Sequence, residues 1–183
     1  MSSEPEPAPA PAPDVVTAEP VASQRRSLLG MTLLVAAVVI AIDQLTKLLA
    51  VAYLEGQPSV EVLGPLLKFT FVRNPGAAFS LGGGYTIIFS VLAAVVAVVI
   101  VVTSRTLGSK AWAIALGGLL GGALGNLLDR LLREPGFGRG HVVDFFQVPY
   151  FAIFNVADIA VCCSAALIVI LTIRGVPLRG ATS

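Results

Sequence analysis

The sequence predicts an all-α membrane protein of four transmembrane helices. Three observations carry this. The 183-residue chain is 56% hydrophobic and only 13% charged, about half the charge of a soluble domain. Its mean hydropathy is +0.87. Its apolar residues fall into four segments of spanning length, near the ~20 residues needed to cross a ~30 Å hydrocarbon core. Backbone inside lipid must satisfy its own hydrogen bonds, so these segments are helices.

Residues 1–24 are rich in Pro, Ala and acids; they bury too little apolar surface to offset ordering and are expected to form a disordered tail. A membrane domain follows over 25–176, then a short tail over 177–183. The first span is expected at about 28–54. Arg25 and Arg26 precede it and Ala50-Val51-Ala52 has a small-x-small look, but the run is long and holds Asp43 and Lys47, so it is read as retained rather than cleaved. The other spans are expected at about 85–103, 112–132 and 151–173. The third contains GGLLGGALG, with Gly117, Gly121 and Gly125 at four-residue spacing and Gly118 and Gly122 likewise. That spacing lets helices approach closely in lipid, and packing is the expected role.

Four spans put both termini on one side. Basic residues divide six and six between the two sides. Setting aside Lys47 and Arg130, which lie within spans, tilts the balance towards cytoplasmic termini. Net charge is +1 and no basic patch or nucleic-acid motif occurs, so nucleic acid is not expected as a partner. Cys162 and Cys163 are adjacent in an apolar run; neither a disulfide framework nor a metal site is expected, and they read as small core residues.

The ionisable residues within the spans are the informative ones. Counted from the side of the termini, Asp43 lies 15 residues beyond Leu28, Asp129 lies 17 beyond Trp112, and Asp158 lies 15 before Ile173. At 1.5 Å per residue all three sit at about 22–26 Å. They share one layer near the far surface. Within each helix the polar residues align. Asp43 and Lys47 are i, i+4; Asn126, Asp129 and Arg130 are i, i+3, i+4; Asn155 and Asp158 are i, i+3. Such stripes face a bundle interior or wet cavity and mark function; a structural polar network is the plainer alternative. Asp144 lies in HVVDFFQVPYF, a connector apolar enough to sit in the interface, from which it can reach Asp158.

Elimination narrows the chemistry. The single histidine, His141, excludes a HExxH zinc site. No G-x-S-x-G elbow occurs, no glycine-rich phosphate loop follows a strand, and neither cysteine has a nearby histidine in sequence. No metal or cofactor is expected. What remains is carboxylates on converging segments. Two that approach closely share a proton, so that one can draw a proton from water while the other protonates the departing group.

Five blocks then make the chain recognisable. DQLTK (Asp43 to Lys47), NPGAAFS (Asn74 to Ser80), GGALGNLLDR (Gly121 to Arg130), VVDF (Val142 to Phe145) and FNVAD (Phe154 to Asp158) resemble the type II, or lipoprotein, signal peptidase family of bacteria, in its order and over most of the chain after the tail. The resemblance implies a four-helix membrane aspartyl peptidase with a small extracytoplasmic β-rich cradle, here about 55–84. It implies a prolipoprotein substrate carrying a diacylglyceryl cysteine, cut just before that cysteine at the outer leaflet of the cytoplasmic membrane. It places the catalytic pair on Asp144 and Asp158. Asp43, Lys47, Asn74, Asn126, Asp129, Arg130 and Asn155 then bind substrate or support the pair, with Arg130 expected to pair with Asp129 or bind substrate carbonyls. Membrane lipid is the other expected partner, and a monomer the expected state. Two rivals stand beside this reading: a small transporter or proton-conducting bundle, which prefers acids staggered through the membrane, and a non-catalytic assembly subunit held by the glycine-rich helix.

Overall fold

The structure is a computed structural model, and it describes residues 19–76 and 86–179. Its elements run α1 (Glu19–Leu54), β1 (Val60–Glu61), β2 (Lys68–Asn74), α2 (Thr86–Ser104), α3 (Lys110–Leu132), β3 (Val142–Gln147) and α4 (Val156–Ile173). All four helices are long and apolar enough to cross a membrane. The three strands form one antiparallel sheet in the order β1-β2-β3.

Two boundaries differ from the sequence expectation. Helix α1 begins at Glu19, inside the segment expected as tail. Pro20 falls in its first turn, where a missing N–H is harmless, and no breaker follows before the apolar run. Helix α4 begins at Val156 rather than 151, because Asn155 terminates it from the N-terminal side. The Asn155 side chain accepts from Asp158 N and the Asp158 side chain accepts from Asn155 N, a capping box.

Helix α3 is the centre of the bundle: 61% of its span is buried, against 17–22% for the other three. Its glycines explain how. An added Cβ at Gly117 or Gly121 would lie 2.6–2.8 Å from Val35, Val39 or the α1 carbonyls of Thr32 and Ala36. At Gly122 it would meet Ala157 O at 2.5 Å. One stripe therefore admits α1 and the stripe one residue along admits α4, as small residues do in membrane bundles. Helix α1 answers with a buried stripe of Leu28, Thr32, Ala36, Asp43, Lys47 and Ala50. Two charged residues thus occupy core positions of an amphipathic pattern.

On α4 the buried positions are Ala157, Ser164 and Leu171, at seven-residue spacing. Cys162 and Cys163 lie off that line and are exposed, so the expectation of core cysteines is corrected. In a membrane helix the outward face is the lipid face, so apolar exposure there is the normal state.

Strand β3 comes from the connector read as an interfacial loop. Val143 and Phe145 pack against Ala50 and Leu54 of α1. Successive strand residues alternate faces, so Asp144 is presented to the opposite side. A cluster of Phe69, Phe145, Phe146 and Phe154, with centroids 4.6–5.6 Å apart along Phe145–Phe146, Phe69–Phe146 and Phe146–Phe154, holds the chain where it leaves the sheet. Phe146 and Phe154 exchange backbone hydrogen bonds of 2.8 and 3.0 Å, which pins the chain entering α4 to β3.

Candidate active site

Every expected site residue is described, and all gather at the sheet end of the bundle. Two polar groups can be told apart there. The first is built on Lys47, which is fully buried. Its ammonium donates to Asp43 Oδ2, Asp129 Oδ2 and Asn126 Oδ1, each at 2.9 Å. A lysine has three donors and no acceptor, so this one is satisfied completely.

Each of the two acids also accepts from a backbone N–H. Asp43 Oδ1 accepts from Ala157 N at 2.9 Å, in the first turn of α4, where a carboxylate complements the helix N-terminus. Asp129 Oδ2 also accepts from Val143 N at 3.1 Å, next to Asp144. Asp129 Oδ1 accepts from Arg133 Nε at 2.7 Å. Gln44 Nε2 joins the two acids, at 3.1 Å from Asp43 and 3.3 Å from Asp129. This corrects the expected Arg130–Asp129 pair: Asp129 is taken by Lys47 and Arg133. Arg130 instead donates to Asn126 O at 3.1 Å and lies over the Phe89 ring.

The second group contains Asp144 and Asp158. Asp144 Oδ1 accepts from Asn155 Nδ2 at 2.6 Å and Oδ2 from Asn74 Nδ2 at 2.8 Å. Asn74 reaches it because Val72 opposes Asp144 in the ladder and residues two apart share a face. The NPG turn holds Asn74 in place: Gly76 N donates to Asn74 Oδ1 at 2.9 Å, with Gly76 at φ +103°, a conformation suited to glycine. Asp158 Oδ1 accepts from Asn126 Nδ2 at 2.8 Å and Oδ2 from Asn155 N at 3.1 Å. Among the described residues no ion pair reaches either carboxylate.

Asp144, outside the spans, has its pKa pushed up to about 6; burial is the main cause, opposed by the Asn74 hydrogen bond and reinforced by the Asp158 charge. Both acids line a cavity of about 320 Å³ with Asn74, Phe89, Arg130 and Phe154. A separate groove of about 280 Å³ lies behind the sheet, between Tyr53 of α1 and Phe69 and Phe145; no carboxylate faces it. Among the described residues no cluster of His, Cys, Asp and Glu is arranged to hold a metal ion.

Sequence reasoning missed Gln44 and Arg133. Arg133 stands at i+4 from Asp129, a readable spacing; Gln44 sits inside DQLTK, but its partners are remote in sequence. The motif residues 77–80, from NPGAAFS, lie outside the described residues. His141 keeps no role beyond its backbone N–H, which donates to Glu134 O.

Comparison with known proteins points to one family. Residues 35–174 match the family described as signal peptidase (SPase) II. The lipoprotein signal peptidase of Leifsonia xyli is 46% identical over 162 residues, covering 86% of this chain and 75% of that protein. Those of Rhodococcus jostii and Streptomyces griseus are 48% and 49% identical, covering 88% and 85% of this chain and 80% and 79% of theirs. A solved structure, a bacterial membrane enzyme determined by the in meso method at 1.9 Å resolution, superposes with a TM-score of 0.70 at 30% identity over 79% of this chain and 94% of that one.

Proposed function

The chain belongs to the signal peptidase (SPase) II family, and from that membership we propose that it removes signal peptides from diacylglyceryl-modified prolipoproteins, using Asp144 and Asp158 as the reacting pair. The observation that carries the assignment is the difference in partners. Of the four acids gathered here, only these two line the open cavity, and only these two have amides rather than cations as direct hydrogen-bond partners.

The chemistry follows from a shared proton. Asp144, raised to about 6 by burial, holds a proton at neutral pH more readily than an ordinary carboxyl, and two neighbouring carboxylates do not both ionise easily. The ionised member takes a proton from water as the water oxygen bonds to the scissile carbonyl carbon. The protonated member gives its proton to the carbonyl oxygen. Collapse of the tetrahedral diol breaks the C–N bond: the departing nitrogen takes a proton from the protonated member, a diol hydroxyl gives its proton to the ionised member, and the pair is left with the one proton it began with. Arg130, at the cavity wall, suits a substrate carbonyl. Cytoplasmic termini put the layer near the outer leaflet, where water enters and the acyl chains of the lipidated cysteine stay in the bilayer.

Asp144→Asn and Asp158→Asn test the assignment. Each is expected to lower cleavage of a diacylated prolipoprotein peptide by about 10³-fold or more, since acid–base groups contribute about 10²–10⁴-fold each, with the protein still folded. Cleavage at the normal rate by either variant removes that residue from the pair.

A further inference from the structure

Three asparagines surround the reacting pair, and an amide presents either a donor or an acceptor depending on which way it is turned. Here each orientation is dictated by a neighbour that can only donate. Asn74 Oδ1 faces Gly76 N, Asn155 Oδ1 faces Asp158 N, and Asn126 Oδ1 faces the Lys47 ammonium. Backbone N–H and ammonium groups have no acceptor, so each must meet an amide oxygen. The opposite end of every amide is therefore N–H, and it points at Asp144 or Asp158. Two of the three locks are local turns. The third is a buried lysine on another helix, 79 residues away.

We infer that Lys47 is a positioning residue that sets the hydrogen-bond polarity of the site: by holding the carbonyl of Asn126, it compels that amide to donate to Asp158. Asn155 Nδ2 also donates to Asn126 Oδ1, at 3.1 Å, so the setting extends to the Asn155 amide that serves Asp144. Without the ammonium, Asn126 Oδ1 keeps only the longer contact from Asn155 Nδ2, and the amide can turn its carbonyl to Asp158 by giving up that one bond. That arrangement favours a protonated Asp158, because a carbonyl accepts from a carboxylic acid and repels a carboxylate. Lys47 then governs the reaction without touching substrate. This rests on Asp144 and Asp158 being the reacting pair and adds the device that keeps one of them ready.

The other charges on elements packed around Asp158 are Arg130 and Asp129 of α3, Asp144 of β3 and Asp43 of α1; Arg73 of β2 is engaged by Glu55. Removing Lys47 alone changes the local charge, so the test removes a charge of each sign. The double variant Asp43→Asn/Lys47→Met, Asn126→Ala and the triple combination are assayed on a synthetic peptide bearing a diacylglyceryl cysteine, as kcat and KM against pH. The double variant is expected to lose at least about tenfold in kcat with KM within about twofold, and the acidic limb of its rate profile to move up by about one pH unit, the size of one hydrogen bond to a charged group. In the Asn126→Ala background the same pair of substitutions should move the limb no further. An unmoved limb, or a shift that recurs in full without Asn126, overturns the inference. Should the double variant not fold, Asn126→Asp decides: it keeps an acceptor for Lys47 but offers Asp158 no donor, so it must fold and lose activity as fully as Asn126→Ala. A tenth of the wild-type rate overturns the inference. Asp144→Asn and Asp158→Asn measured alongside separate the two readings, since cleavage by either indicts the reacting pair and not the polarity.

Discussion

Asp43 and Asp129 form one pair of carboxylates; Asp144 and Asp158 form another. Both lie at the same end of the bundle and both are interlaced with Asn126; Asp43, Asp129 and Asp144 are buried and Asp158 is half-buried at the cavity. The first pair brackets a lysine and takes a second cation at Arg133. The second has only amide and backbone N–H groups. A buried charge with a matched countercharge and filled hydrogen bonds is fixed in one protonation state. A buried carboxyl held by neutral donors can change state at modest free-energy difference. On the proposed assignment, the same residue type is scaffold where a cation is its direct partner and reagent where its direct partners are neutral.

The comparison can be broken from its scaffold side. Lys47→Met leaves two acids facing each other with only Arg133 for compensation; breaking a buried pair in this way costs about 3–5 kcal/mol, read as a fall in Tm in detergent. If Lys47→Met is as stable as wild type, the ion cluster is not what holds this end together.

From the reagent side, pH sharpens the contrast. The folded pKa of Asp144 is raised from 3.8 to about 6, so between those values the unfolded chain has released a proton that the folded protein keeps. Stability from this group is therefore full below pH ~4 and is lost as pH rises through ~6, by about 3 kcal/mol at 1.36 kcal/mol per unit. Asp144→Asn escapes that loss. Its Tm relative to wild type should rise between pH 4 and pH 7; a difference flat with pH contradicts the burial effect.

A smaller effect tests how the scaffold reaches the reagent. A Cβ at Gly125 would stand 2.6 Å from Asp43 Oδ2, so here the glycine makes room for a carboxylate as well as for a helix. Gly125→Ala should destabilise by about 1–3 kcal/mol, as overpacking does, and lower activity through the Asp43 contact to Ala157 N. Unchanged Tm and rate would show that Asp43 has slack. The smallest effect is expected at Arg73–Glu55, a partly exposed pair with contacts of 2.7 and 3.0 Å. Arg73 holds the Glu55 carboxyl below its usual range, yet exposed pairs contribute little. Glu55→Gln should leave Tm and cleavage within experimental error.

Much of this contrast was legible in the sequence, and the gaps have physical causes. The four spans and the polar layer follow from helix length and rise. The Asp43–Lys47 pair follows from i, i+4 spacing, and Asn155–Asp158 from i, i+3. The latter was placed inside the first turns of a span starting at 151 when it is a capping box, because both arrangements share that spacing; the four apolar residues Phe151 to Phe154 hid the true start at Val156. Strand β3 was hidden because Val142 to Phe145 are buried on both faces, so no alternation marks a strand. The Arg130–Asp129 pairing failed because adjacent residues on a helix point in different directions, whereas Arg133 at i+4 does not. Gly125 was read as packing alone, since nothing local says that the atom it admits is an oxygen.

Lys47 and Asp43 lie on one helix, one turn apart, at 2.9 Å. That has a bearing on biogenesis. Helix α1 is synthesised before α3 and enters the bilayer before α3 exists to supply Asp129 or Asn126. Because its cation and its anion can neutralise each other within a single turn, α1 presents the membrane with a dipole and not two separate charges. The most expensive side chain of the finished interior is thus delivered with its first partner already attached, and the later helices only complete its coordination.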